Sequence, residues 1–184
     1  MDVLVKRGSE LSEKEIEQIN NTWRGAWPDT DLLDSERREE FASETYFLAF
    51  SEDKIVSVGR LIPVELEFMG KTYMIEGIAD MVSAHKGKGY GKKVMNEMVH
   101  YLEEKGETGI GFCSSRNSPF YMKCGLEIAK DKLGDFLYKH PDGNATKSED
   151  PEDDDIVYKD GKDHLMDKVL THPEEKVFIH REHW

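Results

Sequence analysis

Cysteine is scarce in this chain, with two residues, Cys113 and Cys124, in 184. A pair of that kind is too few for a disulfide scaffold, so both are expected as buried thiols in a reducing compartment. Long apolar runs are missing too. Nothing approaches the roughly 20 consecutive apolar residues that span a bilayer, and residues 1–8 alternate like a short strand instead of forming a charged-then-apolar leader. A soluble cytoplasmic protein with no membrane partner is therefore expected. Positive charge is in deficit: 25 Lys and Arg stand against 38 Asp and Glu, a net charge of −13. Such a field repels nucleic-acid phosphates and anionic lipid, which argues against a nucleic-acid partner, and it draws in cations such as a polyamine or an amino sugar. An anionic ligand would need a local basic patch.

What is present is organised as a single domain over residues 1–184. Leu11, Ile16, Ile19 and Trp23 recur at helical spacing behind Ser12, with Glu15 three residues on in a capping-box arrangement, and this predicts a helix over 12–24. The Trp27-Pro28-Asp29-Thr30-Asp31 stretch breaks it, and Asp34 or Ser35 can cap a second short helix through Phe41. Strands are expected over 46–50, 55–64 and 66–69 as an antiparallel meander, with turns at 51–54 and at Gly70-Lys71, and over 73–83 as a fourth strand. A helix over 89–105 carries Val94, Met95, Met98, Val99 and Leu102 on one face and ends at Gly106. With a strand over 108–113 it completes a βαβ unit of parallel pairing. A short helix at 119–123 and strands at 126–129, 156–158 and 177–180 follow. Residues 139–155, rich in acids with Pro141, Gly143 and Pro151, read as a mobile acidic loop.

The densest chemical signal is Lys86-Gly87-Lys88-Gly89-Tyr90-Gly91-Lys92, between a strand and a helix. Glycines let the backbone turn tightly there. The amides at the head of the helix then point outward, and with the positive end of the helix dipole they suit phosphate oxygens. Two familiar phosphate loops fail the test. A GxxxxGK[ST] loop would need glycine at Lys86 and Ser or Thr at Lys93, and a GxGxxG fingerprint beginning at Gly89 would need glycine at Val94.

What remains resembles the pyrophosphate loop of the GNAT N-acetyltransferase superfamily, with Lys86 in place of the usual Arg or Gln. A second segment, from Asn117 through Phe120-Tyr121 to Gly125-Leu126, resembles the family's Asn-to-Tyr segment. The resemblance implies an α/β GNAT fold, a mixed twisted sheet of about six or seven strands with helices on both faces. It also implies acetyl-CoA as cofactor, held by Met81, Val82, residues 86–92 and Asn117, and an acetyl transfer to a primary amine. Tyr121 would be the acid toward the leaving thiolate, a tyrosine hydroxyl ordinarily ionising near about pH 10; a packed aromatic is the ordinary alternative.

Glu76 sits in an otherwise apolar strand, costly for an acid unless it is paired or working. In the resemblance it falls at the base position, and Asp80, on the same strand face by even spacing, is the reserve. The segments Gly25 to Asp31, Ile75 to Ala79 and Asp153 to Tyr158, with the ending Arg181-Glu182-His183-Trp184, together resemble the aminoglycoside 2′-N-acetyltransferase branch, and this narrower likeness implies substrate contacts from Asp29, Asp31, Glu76 and the terminal Trp184. An aromatic plugging a gap at the chain end explains Trp184 equally well. His85, His180 and His183 lack a third convincing ligand, so no metal is expected. A peptide or protein N-acetyltransferase and a non-catalytic acyl-CoA-binding sensor stay open as alternatives, as does a homodimer through the late strands.

Overall fold

The structure is a computed structural model and describes residues 2–147 and 154–180. The chain divides into two compact units, Met1–Ile62 with Ala79–Met98, and Pro63–Ile78 with Val99–Trp184.

The first unit opens with strand β1 (Val3–Arg7) and helix α1 (Glu13–Ala26). Ser12 caps α1: its Oγ accepts from the Glu15 amide at 3.3 Å, while the Glu15 carboxylate accepts from the Ser12 amide at 2.7 Å. The capping box read from the sequence thus sets the start of the helix, within one residue of expectation. A 3-10 turn, Ser35–Glu40, follows with Asp34 accepting from the Glu36 amide. Strand β2 (Thr45–Ser51) pairs antiparallel with β1 and with β3 (Lys54–Phe68). The α1 positions Ile16, Ile19 and Trp23, with Leu11, close over Tyr46, Leu48, Ile55, Val58 and Val82 as one buried cluster. Strand β4 (Lys71–Ser83) ends in this unit and leads to helix α2 (Tyr90–Lys105). Gly59 lets α2 approach closely, since a Cβ there would stand 2.8 Å from Met98 Sδ, 3.1 Å from Met81 Sδ and 3.3 Å from Val94 Cγ1.

In the second unit, β5 (Gly109–Cys113) pairs parallel with β4 through Glu76↔Gly109 and Gly77↔Ile110, the parallel βαβ pairing expected. Helix α3 (Ser118–Met122) and strands β6 (Glu127–Ala129), β7 (Phe136–Lys139), β8 (Ala145–Lys147) and β9 (Asp155–Lys159) follow. Helix α4 (Leu165–Thr171) and β10 (Val177–Ile179) complete the described chain. The strand order is β6-β9-β5-β4-β3-β10-β7-β8, with β10 parallel to β7 and antiparallel to β3. All five apolar positions assigned to the α2 face are buried.

Three expectations need correction. Among the described residues the sheet has ten strands, not six or seven, and the class is unchanged. The 55–64 and 66–69 segments are one strand, since Glu65 interrupts the apolar pattern but not the backbone ladder. Within 139–155, Ala145–Lys147 forms β8 and Asp155 opens β9 buried, so backbone pairing, which a polar composition conceals, structures part of that stretch. The acids at 149, 150, 152 and 153 lie outside the described residues, as does Trp184.

Candidate functional site

The glycine turn occupies residues 84–89 of the first unit, where the chain leaves β4 and enters α2, and residues 84–89 are exposed. Gly87 and Gly89 have φ of +77° and +79°, and a Cβ at either would meet nothing within 4 Å. Glycine is required there by the backbone and not by crowding, since the left-handed region is costly for other L-residues. The first bond of α2 runs from the Lys93 amide to Gly89 O at 3.1 Å. The amides of residues 90–92 therefore have no acceptor within the helix, and Tyr90 and Gly91 are half-exposed and Lys92 exposed. Lys86, Lys88 and Lys92 are exposed around them, and Tyr90 packs edge-on to His85 with ring centroids 6.4 Å apart. An electropositive run of helix-head amides of this kind could hold the diphosphate of a coenzyme.

Immediately before the turn, Val82 is buried and its carbonyl accepts from Ser57 Oγ at 2.7 Å, while the Ala84 amide donates to Val56 O at 2.9 Å. Met81 and Val82 are thus fixed against β3. Asp80, just upstream, has φ of +48°. Among the described non-glycine residues with positive φ it is the one inside a strand, the others lying at turns or at the start of α4. Its Oδ2 accepts from Arg60 Nε at 2.5 Å, and Arg60 Nη1 donates to Glu44 Oε2 at 2.7 Å. Tyr46 donates its hydroxyl to the same Glu44 oxygen at 2.8 Å, and the guanidinium lies 5.1 Å from the centroid of the Trp23 ring. Burial pushes the Tyr46 hydroxyl well above its ordinary range. Burial works against the Arg60 charge, yet the Asp80 and Glu44 carboxylates outweigh it and push the guanidinium upward. The reserve base Asp80 is therefore engaged in an ion pair.

Asp29 and Asp31 lie on the exposed connection after α1. The second unit carries Glu76, Asn117 and Tyr121. Glu76 is buried, and its amide donates to Thr108 O at 2.9 Å. Asn117 precedes α3, and its amide donates to Ser114 O at 2.8 Å. Tyr121 is half-buried within α3, edge-on to Phe120 at 5.2 Å, and its carbonyl accepts from the amides of Cys124 and Leu126. The helix is anchored by Ser118, whose Oγ donates to Asp155 Oδ2 at 2.7 Å, while Asp155 Oδ1 accepts from the Asp131 amide at 3.1 Å. Ser118 and Asp155 are both buried, and the Cys113 and Cys124 thiols are buried as well.

Sequence reasoning missed Arg60 and Glu44, and Asp155 as the partner of Ser118. The signal for Arg60 was the one applied to Glu76: a charge inside an apolar strand needs partners. Asp155 was hidden at the end of an acidic run. A group of candidate metal ligands, Asp160, His164 and Asp167, brings one donor atom each within 4.8 Å of the others. Asp160 already accepts from the Met166 and Asp167 amides, capping α4.

Residues 8–129 match the family described as the Acetyltransferase (GNAT) domain. A search of the curated proteins gives no match. Among solved structures the chain is similar to a conserved protein from Enterococcus faecalis V583 described as a probable N-acyltransferase, with a TM-score of 0.53 and 19% identity over 72% of this chain. The chain spans only 36% of that protein's length. It is also similar to Escherichia coli ElaA, with a TM-score of 0.58 and 12% identity over 87% of this chain and 100% of that one. An acyl-CoA N-acyltransferase from Pseudomonas aeruginosa gives a TM-score of 0.56 at 12% identity, covering 88% of this chain and 100% of that one. At these identities the likeness establishes the α/β fold. No helix among the described residues is long and apolar enough to cross a membrane.

Proposed function

We infer that this chain, which belongs to the Acetyltransferase (GNAT) domain family, is an acyltransferase that carries an acetyl group from acetyl-CoA to a primary amine of a small cationic substrate, an aminoglycoside or a polyamine being the type. The observation that carries this reading is the exposed glycine turn at the head of α2, with two left-handed glycines, open space around them and lysines on its rim. Backbone amides of 88–92 would hold the diphosphate, Lys86, Lys88 and Lys92 would add charge, and Met81, Val82 and Asn117 would contact the remainder of the coenzyme.

The coenzyme supplies an activated thioester carbonyl. For aminolysis the amine must lose a proton and the departing sulfur must gain one, and positioning supplies most of the gain. Glu76, an acid in a buried strand position, is the proposed acceptor of the amine proton, directly or through water. Tyr121 is the proposed donor to the sulfur. The C–N bond forms as the C–S bond breaks, and the two protons balance. Asp29 and Asp31, both exposed, and Trp184 are proposed to recognise the substrate, and the net charge of −13 favours a cationic one. Two buried thiols suit a reducing compartment such as the cytoplasm.

The test is incubation with acetyl-CoA and a panel of aminoglycosides, polyamines and peptides while free thiol and acetylated amine are measured together. Thiol release coupled to acetylation of a small cationic amine is expected. Acetylation of peptides alone, or coenzyme binding with no amine acetylated, would overturn the substrate class.

A further inference from the structure

Asp80 departs from ordinary strand dihedrals within β4, just before Met81 and Val82, and a left-handed aspartate inside a strand persists only where its surroundings hold it. Arg60 projects from the neighbouring strand and spans two carboxylates, Asp80 through Nε and Glu44 through Nη1, with the Trp23 ring 5.1 Å from its guanidinium. Glu44 is nearly sealed from solvent, with 2% of its side chain exposed, whereas Asp80 keeps 24%. The sealed Glu44 end fixes the guanidinium, and the fixed guanidinium then sets the direction of the Asp80 side chain. Only a planar, forked cation can serve both acids in this way.

We propose that Arg60 is a positioning residue that, through Asp80, holds the left-handed turn of β4 and so aims Met81 and Val82 at the acyl thioester, which leaves Asp80 a structural partner and not the base. The aim toward a thioester rests on the function proposed above; the clamp itself does not. With Val82 O tied to Ser57 and the Ala84 amide to Val56 O, a change in the Asp80 torsion is absorbed between residues 80 and 82.

The variants Asp80→Ala, Asp80→Gly and Arg60→Lys separate these roles, the last keeping a cation beside Glu44 so that the protein folds. Asp80→Ala is expected to lower kcat by up to about 100-fold, with the KM for acetyl-CoA held within about twofold because the glycine turn is untouched. Asp80→Gly is expected to recover about tenfold of that loss, since glycine takes positive φ without a Cβ penalty. Both should keep the wild-type limbs of the pH–rate profile. Equal loss in the two variants, or an acidic limb missing from both, overturns the proposal. Amide hydrogen exchange without coenzyme is read in parallel. Faster exchange at Met81 and Val82 in Asp80→Ala and Arg60→Lys supports the clamp, and unchanged exchange overturns it. If the wild type acetylates no amine while the exchange still responds, the function proposed above fails and the clamp stands.

Discussion

Replacing Gly89 by Ala tests the cradle through its backbone. The residue has φ of +79° and a Cβ there would meet nothing within 4 Å, so no collision contributes and the whole penalty is torsional. A left-handed alanine costs about 1–2 kcal/mol. For a chain of this size that is a fall in Tm of roughly 2–8 °C. An exposed turn avoids part of the penalty by relaxing in the free protein, and must then recover its shape to bind. Affinity for acetyl-CoA should therefore fall by up to about tenfold, the equivalent of about 1.4 kcal/mol. Gly143→Ala is the matched control, because Gly143 has φ of +89° with equally open surroundings, between β7 and β8. Calorimetric melting of both variants and titration of each with acetyl-CoA gives the comparison. Similar losses of stability with weakened binding only in Gly89→Ala are expected. Wild-type affinity in Gly89→Ala, or an equal loss of affinity in Gly143→Ala, would show that the turn does not bind the coenzyme.

Tyr121→Phe should lower kcat by about 100-fold with little change in acetyl-CoA affinity, as removal of a positioned proton donor does; unchanged turnover in the thiol-release assay would remove that role. Glu76→Gln should flatten the acidic limb of the pH–rate profile, and an identical limb would leave the amine proton to another acceptor. Ser12→Ala should destabilise the fold by about 1 kcal/mol in denaturant titration through loss of the α1 cap. Burial favours the neutral form of the Glu15 carboxyl, but donors from Lys6 and Ser12 outweigh it and hold the group below its ordinary value. Its contribution is therefore present above the ordinary carboxylate range and lost as pH falls through the lowered value. Acid titration of stability should accordingly be shallower for Glu15→Gln than for the wild type.

The βαβ core was legible because several local signals agreed there. Ser12 and Glu15 marked the start of α1, five apolar residues at helical spacing marked the buried face of α2, and the glycines marked the turn between strand and helix. Residues whose roles come from distant partners were not legible. Arg60 meets Asp80 and Glu44 across 20 and 16 residues of sequence, and Ser118 meets Asp155 across 37. Even spacing in β4 put Asp80 on the face of Glu76, but the spacing carried no sign of the positive φ that Asp80 adopts or of the Arg60 side chain that reaches it. Strand β8 was hidden for a different reason: all three of its residues are exposed, so it is held by backbone pairing with β7 and a Thr146–His140 side-chain contact and leaves no apolar alternation to read.

Backbone amides at the head of α2 are proposed to grip the diphosphate of a coenzyme. Isothermal titration of the wild-type protein with acetyl-CoA, beside an acetylated pantetheine that lacks the diphosphate, tests it most directly. Saturable heat with acetyl-CoA and much weaker binding of the truncated thioester is the result expected. No heat with millimolar acetyl-CoA, or equal affinity for the two, would contradict it.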